Sequence, residues 1–435
     1  MIAQFIFLVI LAVGVYFFAK RVKQVSRNIN LGREKVINDR PSDRWKTMAR
    51  VAMGQSKMGS RPVAAFFHFL IYIGFVIINI EVLEIIMDGL FGTHRILSFM
   101  GGFYDFLIGS FEYLALGVLA ACVVFLVRRN VLRLRRFHMA EMTSWPKSDA
   151  NFILIIEILL MTAFLLMNAS DAILQSRGMD HYVVAGAFPV SSSLFSFLDN
   201  YSSESLVMIE RGAWWFHIIG ILAFLNYVPY SKHFHILLAF PNTWYSNLNP
   251  KGQFNNMESV TNEVKLMMDP SAAVPAVDPN AAPQRFGAKD VKDLNWKQLM
   301  DAYACTECGR CTDVCPANIT GKLLSPRKIM MDTRDRLEEV GKNIDAHGAT
   351  HEDGKSLIND YIKEEEIWAC TSCNACVEAC PVLIDPLSII MDLRRFKVME
   401  ESAAPAELNG MFTKMENNGA PWQFSPADRM NWTEN

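Results

Sequence analysis

The sequence has little net charge: 42 Lys and Arg against 45 Asp and Glu leave −3 over 435 residues. A protein that tracks nucleic-acid phosphates needs a clustered basic excess, so a nucleic-acid partner is excluded. Charged side chains make up only 20% of the chain against 51% hydrophobic, which excludes intrinsic disorder. Strand-like alternation is scarce. Cysteine is nearly missing from the first 250 residues, where Cys122 stands alone, although the whole chain has nine. Nor does the first apolar run read as a cleavable leader. The first apolar run has neither a basic segment before it nor a small-residue cleavage site, and Lys20, Arg21 and Lys23 follow it as they would a retained anchor.

What is present is hydrophobicity concentrated before Pro250. Five apolar runs, Ile2–Ala19, Val63–Met87, Phe106–Val127, Asn151–Ala169 and Ala213–Tyr230, are each close to the ~20 residues a helix needs to cross a bilayer. One such run could be a buried core helix; five in 230 residues read as membrane spans. Loop charge orients them. Residues 20–61 carry 12 Lys/Arg against 3 Asp/Glu, and residues 128–150 carry six Lys/Arg. The other two loops hold only Arg95, and Arg177 with Arg211. The positive-inside rule then puts the N-terminus outside and the C-terminal part in the cytoplasm of a bacterial inner membrane. Unpaired, ligand-spaced cysteines suit that reducing side.

The strongest motif is C-x2-C-x2-C-x3-C-P, present twice: Cys305, Cys308, Cys311, Cys315 with Pro316, and Cys370, Cys373, Cys376, Cys380 with Pro381. Three thiolates on one tight loop cap three irons of a cubane. The fourth iron points away, and in two-cluster ferredoxins the last cysteine of the other run meets it. The expected ligand sets are Cys305, Cys308, Cys311 and Cys380 for one 4Fe-4S cluster, and Cys370, Cys373, Cys376 and Cys315 for the second. Paired zinc sites are the competing reading, but zinc needs only four ligands and gives no reason for a third close cysteine or a trailing proline. Arg327–Val340, Tyr361–Trp368 and Pro386–Met399 read as helices, so this domain is expected to be α-helical. The polar stretch Asn249–Gly287 reads as a linker. Cys122, in the third span, reads as a small packing residue.

Histidines of the membrane part form a second constellation. His68 lies six residues into the second span; His217 and His235 lie near the start and end of the fifth, 18 residues or five helical turns apart and so on one face. Matched depth makes His68 and His235 the expected axial pair for haem b. His233 projects about 160° from the His217 face and is expected to point elsewhere. His217 is open to three roles: replacing His235, ligating a second haem, or lining a quinone pocket. Lys232 is expected to snorkel to the interface or to meet a haem propionate. Glu157, Glu112, Glu81 and Glu84 are intramembrane carboxylates of the kind that line proton or quinone paths, with Glu157 the leading quinone-linked proton carrier and an interhelical hydrogen bond the alternative.

These residues carry a family resemblance. RPVAAFFHFLIYIGF (61–75) and WWFHIIGILAFLNYVPYSKHFH (214–235) resemble the nitrate reductase gamma-like cytochrome b domain of heterodisulfide reductase-related membrane proteins. Both cysteine stretches resemble the two-cluster domain of the same proteins, which include menaquinone reductases served by electron-transfer flavoprotein. In the gamma subunit four histidines bind two haems; here position 78 is Ile78 and position 79 is Asn79, so a second-span partner for His217 is missing. Fused relatives continue into cysteine-rich CCG modules. The tail NNGAPWQFSPADRMNW resembles the junction leading into one, and the resemblance implies a separate CCG-domain subunit as partner.

The expected molecule is an all-α membrane protein: a five-helix cytochrome b-like bundle (1–248), a linker (249–287), a two-cluster ferredoxin-type domain (288–400) and a partner-docking tail (401–435). Its expected role is electron transfer between a cytoplasmic dehydrogenase or electron-transfer flavoprotein and menaquinone, through two 4Fe-4S clusters and one or two haems b. Three alternatives stand beside it: a quinol-oxidising heterodisulfide reductase-like subunit, a non-catalytic anchor, and an ion-pumping subunit. Against the last, no span is interrupted by Gly and Pro in the paired manner of transporters.

Overall fold

A computed structural model describes residues 1–273 and 285–434. No strand occurs among them, only two isolated bridges, Arg33 with Asn295 and Ile358 with Ile362. Five helices are long and apolar enough to cross a membrane. The chain is an all-α membrane protein carrying a second, helical domain.

Counting helices of eight residues or more, α1 is Ile2–Ile29, α2 Pro41–Met48, α3 Pro62–Phe91, α4 Gly102–Leu126, α5 Trp145–Ser176 and α6 Ser203–Tyr227. Their ends follow sequence chemistry. Pro62 opens α3, where its missing N–H costs nothing, and Gly92 closes it with φ +72°. Ser202 caps α6 through its hydroxyl. In the bundle α5 packs against α4 and α6, α3 against α4, and α1 against α3 and α6. Phe7, Ile78, Ile108, Phe111, Phe164 and Ile218 fill the centre. Outside, Phe5, Leu8, Val9, Val13 and Phe17 of α1 are exposed, a face that suits lipid rather than water.

At 28 residues α1 is about 42 Å long, more than the ~30 Å hydrocarbon layer requires. Its last turns leave the bundle and dock on the second domain. Arg21 pairs with Glu338 at 2.6 Å, Asn28 donates to the Tyr303 hydroxyl at 3.0 Å, and Arg27 pairs with Asp345. Asn28 lies flush on Gly341, where a Cβ would come within 2.5 Å of its amide. The end of the bundle that meets this domain is called proximal below, and the opposite end distal.

Beyond α6 the expected straight helix through His235 does not exist. Pro229 sits in a 3-10 turn, Val228–Tyr230, a second turn spans Lys232–Phe234, and α7 (His235–Trp244) starts afresh at His235. A proline without an N–H cannot continue the ladder, so projecting His217, His233 and His235 on one helical wheel fails. The linker also differs from expectation, since it contains a helix, α8 (Glu258–Met268). Its residues 274–284 lie outside those described.

The second domain holds α9 (Trp296–Ala304), α10 (Pro326–His347) and α11 (Pro386–Met399). The last two begin alike: Ser325 and Asp385 cap them by side chain, each followed by Pro at the first position. The helix expected over Tyr361–Trp368 is shorter, Glu364–Trp368. In the tail, α12 (Ala406–Asn418) buries no residue.

Candidate metal centres and membrane cavity

The two cysteine runs fold to one backbone pattern. In each, the residues two and four positions after the first cysteine are left-handed: Glu307 (φ 51°) and Gly309 (φ 73°), then Ser372 (φ 56°) and Asn374 (φ 61°). Such alternation turns successive N–H groups inward and makes a nest for an anion. The Ser372 N–H donates to Cys370 Sγ at 3.4 Å, and the Ile384 N–H to Cys380 Sγ at 3.3 Å. Cys315 and Cys380 share a second geometry, φ near −73° with ψ of 117° and 124°.

The runs are interleaved. Burial, with Cys308 and Cys305 alongside, pushes the Cys380 thiol up to about 12. Burial also raises Cys370 and Cys376, and Cys315 lies near both. Cys311 is raised by burial among Cys308, Cys305, Cys380 and Cys376. A thiolate in such a place needs a cation to hold it charged. Yet among the described residues no group of three or more His, Cys, Asp or Glu is close enough to grip one metal ion. A zinc tetrahedron with bonds of about 2.3 Å requires its sulfurs about 3.8 Å apart. Interleaved thiols beside nests of N–H groups fit the larger body of a cubane.

The basic loop between α1 and α3 closes over these runs. Lys57 donates to the Glu378 carbonyl at 2.6 Å, Arg61 pairs with Asp313 at 2.5 Å, and the buried Arg310 donates to the Lys57 carbonyl at 3.2 Å. Arg327, wholly buried, binds Glu141 at 2.7 Å across the domain boundary.

Below them lies a cavity of about 460 Å³ in the proximal half of the bundle. His68 of α3 and His235 of α7 face each other across it, ring centroids 6.4 Å apart and planes at 41°. Two metal–imidazole bonds of about 2 Å, with the ring radii added, require centroids about 6 Å apart. Both Nδ1 atoms are engaged, His68 with Gln55 Oε1 at 3.1 Å and His235 with the Lys232 carbonyl at 3.0 Å. Both Nε2 atoms are thereby left for a metal, the usual arrangement for ligating imidazoles. Burial lowers the His235 pKa, which keeps it neutral as a ligand must be. These residues fit an axial pair for haem. Arg128, Arg129, Arg136 and Arg310 also line the cavity and suit carboxylates.

Other expected site residues fall as follows. His217 lines the same cavity, fully buried, its Nδ1 3.0 Å from the Leu160 carbonyl. Glu157 and Cys122 line it too, and Glu157 has no hydrogen bond among the described residues. His233, expected to point elsewhere, is a cavity residue with its ring 5.5 Å from that of His235; the turn after Pro229 brings it round. Lys232 reaches neither lipid nor solvent: its ammonium binds Glu307, in the first cysteine run, at 2.5 Å. The distal acids serve loops. Glu84 accepts from the Leu97 N–H and the Tyr104 hydroxyl, both at 2.9 Å. Glu112 accepts from Val190 N–H at 2.8 Å and Ser191 N–H at 3.1 Å. Glu81 keeps one buried oxygen without a partner. Sequence reasoning missed Gln55 and Glu307. Gln55 carried no signal, whereas an acid placed inside a C-x2-C loop was visible and went unused.

A family model for a 4Fe-4S dicluster domain matches residues 297–381. Over 458 aligned positions the chain is 28% identical to the probable iron-sulfur-binding oxidoreductase FadF of Bacillus subtilis, covering 99% of this chain and 60% of that protein. It is 27% identical to the EtfAB:quinone oxidoreductase of Syntrophomonas wolfei, over 91% of this chain and 55% of the relative. A third match, 26% identical over 33% of this chain and 35% of the relative, belongs to the dihydromethanophenazine:CoB–CoM heterodisulfide reductase of Methanosarcina acetivorans, as one of its subunits. No solved structure matches. The chain thus spans little more than half the length of its first two relatives. Their names and the dicluster match bear out the resemblance read from the sequence.

Proposed function

We propose that this chain is a membrane electron-transfer subunit working between a cytoplasmic flavoprotein or dehydrogenase and the menaquinone pool. When bound, two 4Fe-4S clusters at the cysteine runs and haem b between His68 and His235 supply one-electron chemistry along a line from the cytoplasmic surface to the bundle interior. A single observation carries this reading: the cavity between His68 and His235 is walled at its far side by Cys308, Arg310 and Pro381 of the cysteine domain.

In this reading the chain's own residues hold and exclude. Gln55 and the Lys232 carbonyl fix the two imidazoles in one tautomer. Arg128, Arg129 and Arg136 neutralise carboxylates at the cavity mouth. His217 and Glu157, deeper in the same space, offer a proton donor and acceptor to a quinone headgroup. The basic loops beside the cysteine domain support a cytoplasmic position for it, at a bacterial inner membrane. Partner subunits are expected because relatives of this chain are named as subunits of larger reductases.

The test is spectroscopy of the full-length chain purified in mild detergent. The expected result is about eight cluster irons per chain besides the haem iron, a low-spin haem b spectrum, and reoxidation of the reduced chain by a menaquinone analogue. His235→Ala should keep the cluster iron and lose the haem absorbance. Fully iron-loaded protein with no porphyrin, or a haem spectrum indifferent to His235→Ala, overturns the reading.

A further inference from the structure

One side chain inside the first cysteine run is tied to the turn that carries His235. Glu307 lies between Cys305 and Cys308, 4% exposed, in a left-handed backbone conformation. A residue other than Gly at such a φ costs on the order of 1 kcal/mol or more, so a glutamate here calls for a reason. Its carboxylate supplies one. Oε2 accepts from Lys232 Nζ at 2.5 Å and Oε1 from Arg334 Nη1 at 2.8 Å. Lys232 also donates its backbone N–H to Asp149 at 3.1 Å, and its carbonyl accepts from His235 Nδ1 at 3.0 Å. The corresponding residue of the second run is Ser372, which carries no charge. A buried carboxylate therefore stands inside the first loop and not at the matching position of the second, and two cations are bound to it.

We propose that Glu307 and Lys232 are a tuning and positioning pair, which holds the first cysteine loop against the His235 turn and sets the reduction potential of the metal centre in that loop by charges of opposite sign. The inference rests on the reading that Cys305, Cys308 and Cys311 hold a cluster. Adding an electron makes that centre more negative, so a fixed carboxylate disfavours reduction and a fixed ammonium favours it, strongly in a dry site.

The experiment is a redox titration of the full-length chain in detergent, followed by electron paramagnetic resonance with iron analysis on the same samples. Glu307→Gln should raise the midpoint of one centre, and Lys232→Met should lower the same midpoint. The double variant should return it toward the starting value, and the other centre should not move. Loosened packing or water entry would shift both single variants in the same direction, and that result, or no shift in fully iron-loaded protein, overturns the proposal. Should Glu307→Gln fail to assemble, Arg334→Met, which removes the second cation, must shift the midpoint downward with Lys232→Met. An unmodified chain lacking cluster signals overturns the cluster reading itself, and the two failures are told apart by iron content.

Discussion

The two cysteine runs have the same spacing, the same pair of left-handed residues and the same trailing proline, and they live in opposite surroundings. The first is enclosed: Glu307, Arg310 and Arg327 are nearly or wholly buried, and the bundle loops cover it. The second is open at its middle, where Cys373 is exposed. Local sequence sets the loop conformation in both. What differs is tertiary: the first run lines the histidine cavity with Thr306, Glu307, Cys308 and Arg310, whereas the second reaches it only at its trailing Pro381 and Val382. A duplicated motif has been given an inner and an outer copy.

The comparison breaks most severely at the ligands. Cys380→Ser should abolish the same centre as Cys308→Ser and spare the other, halving the cluster iron to about four per chain. A Cys380→Ser protein that instead loses the centre of Cys370 and Cys373 would refute the crossed assignment. Next in size are the arginines that support each run. Arg327→Met leaves Glu141 buried without its partner and should cost about 3–5 kcal/mol in denaturant unfolding. Arg394→Met in the second run removes hydrogen bonds to the Ile367 and Cys370 carbonyls from a half-buried site and should cost about 1–2 kcal/mol.

Backbone conformation sharpens the contrast. Gly309→Ala meets both a φ of 73° and the Arg327 guanidinium 2.5 Å from the new Cβ, so a loss of about 2 kcal/mol is expected. Asn374→Gly, at the matching position with φ 61°, should change stability by only a few tenths of a kcal/mol. Smallest of all is Lys57→Met. Its hydrogen bond to Glu378 is at the surface, and less than about 1 kcal/mol should be lost.

How much was legible in the sequence follows from how local each feature is. The cysteine runs and five spans rest on spacing and hydropathy within single segments. The extended arm of α1 was readable only in part: Lys20, Arg21 and Lys23 end the apolar run, but helix continues to Ile29 because Tyr303, Glu338 and Asp345 receive its polar side chains. His233 was misjudged because a wheel assumes an unbroken helix, and Pro229 breaks it. Glu84 and Glu112 looked like path residues because depth alone cannot reveal the loop N–H groups they bind. Gln55 meets His68 from 13 residues away, through a turn that no periodicity announces.

The continuity of α1 has a mechanical consequence. A domain joined to its anchor by a loose tether would shuttle, and solvent viscosity would slow its exchanges. Here a single rod emerges from lipid and is bolted to the cysteine domain through Arg21, Arg27 and Asn28. The separation of the cysteine runs from the imidazoles is therefore set by side-chain packing along one helix rather than by the reach of a flexible tether.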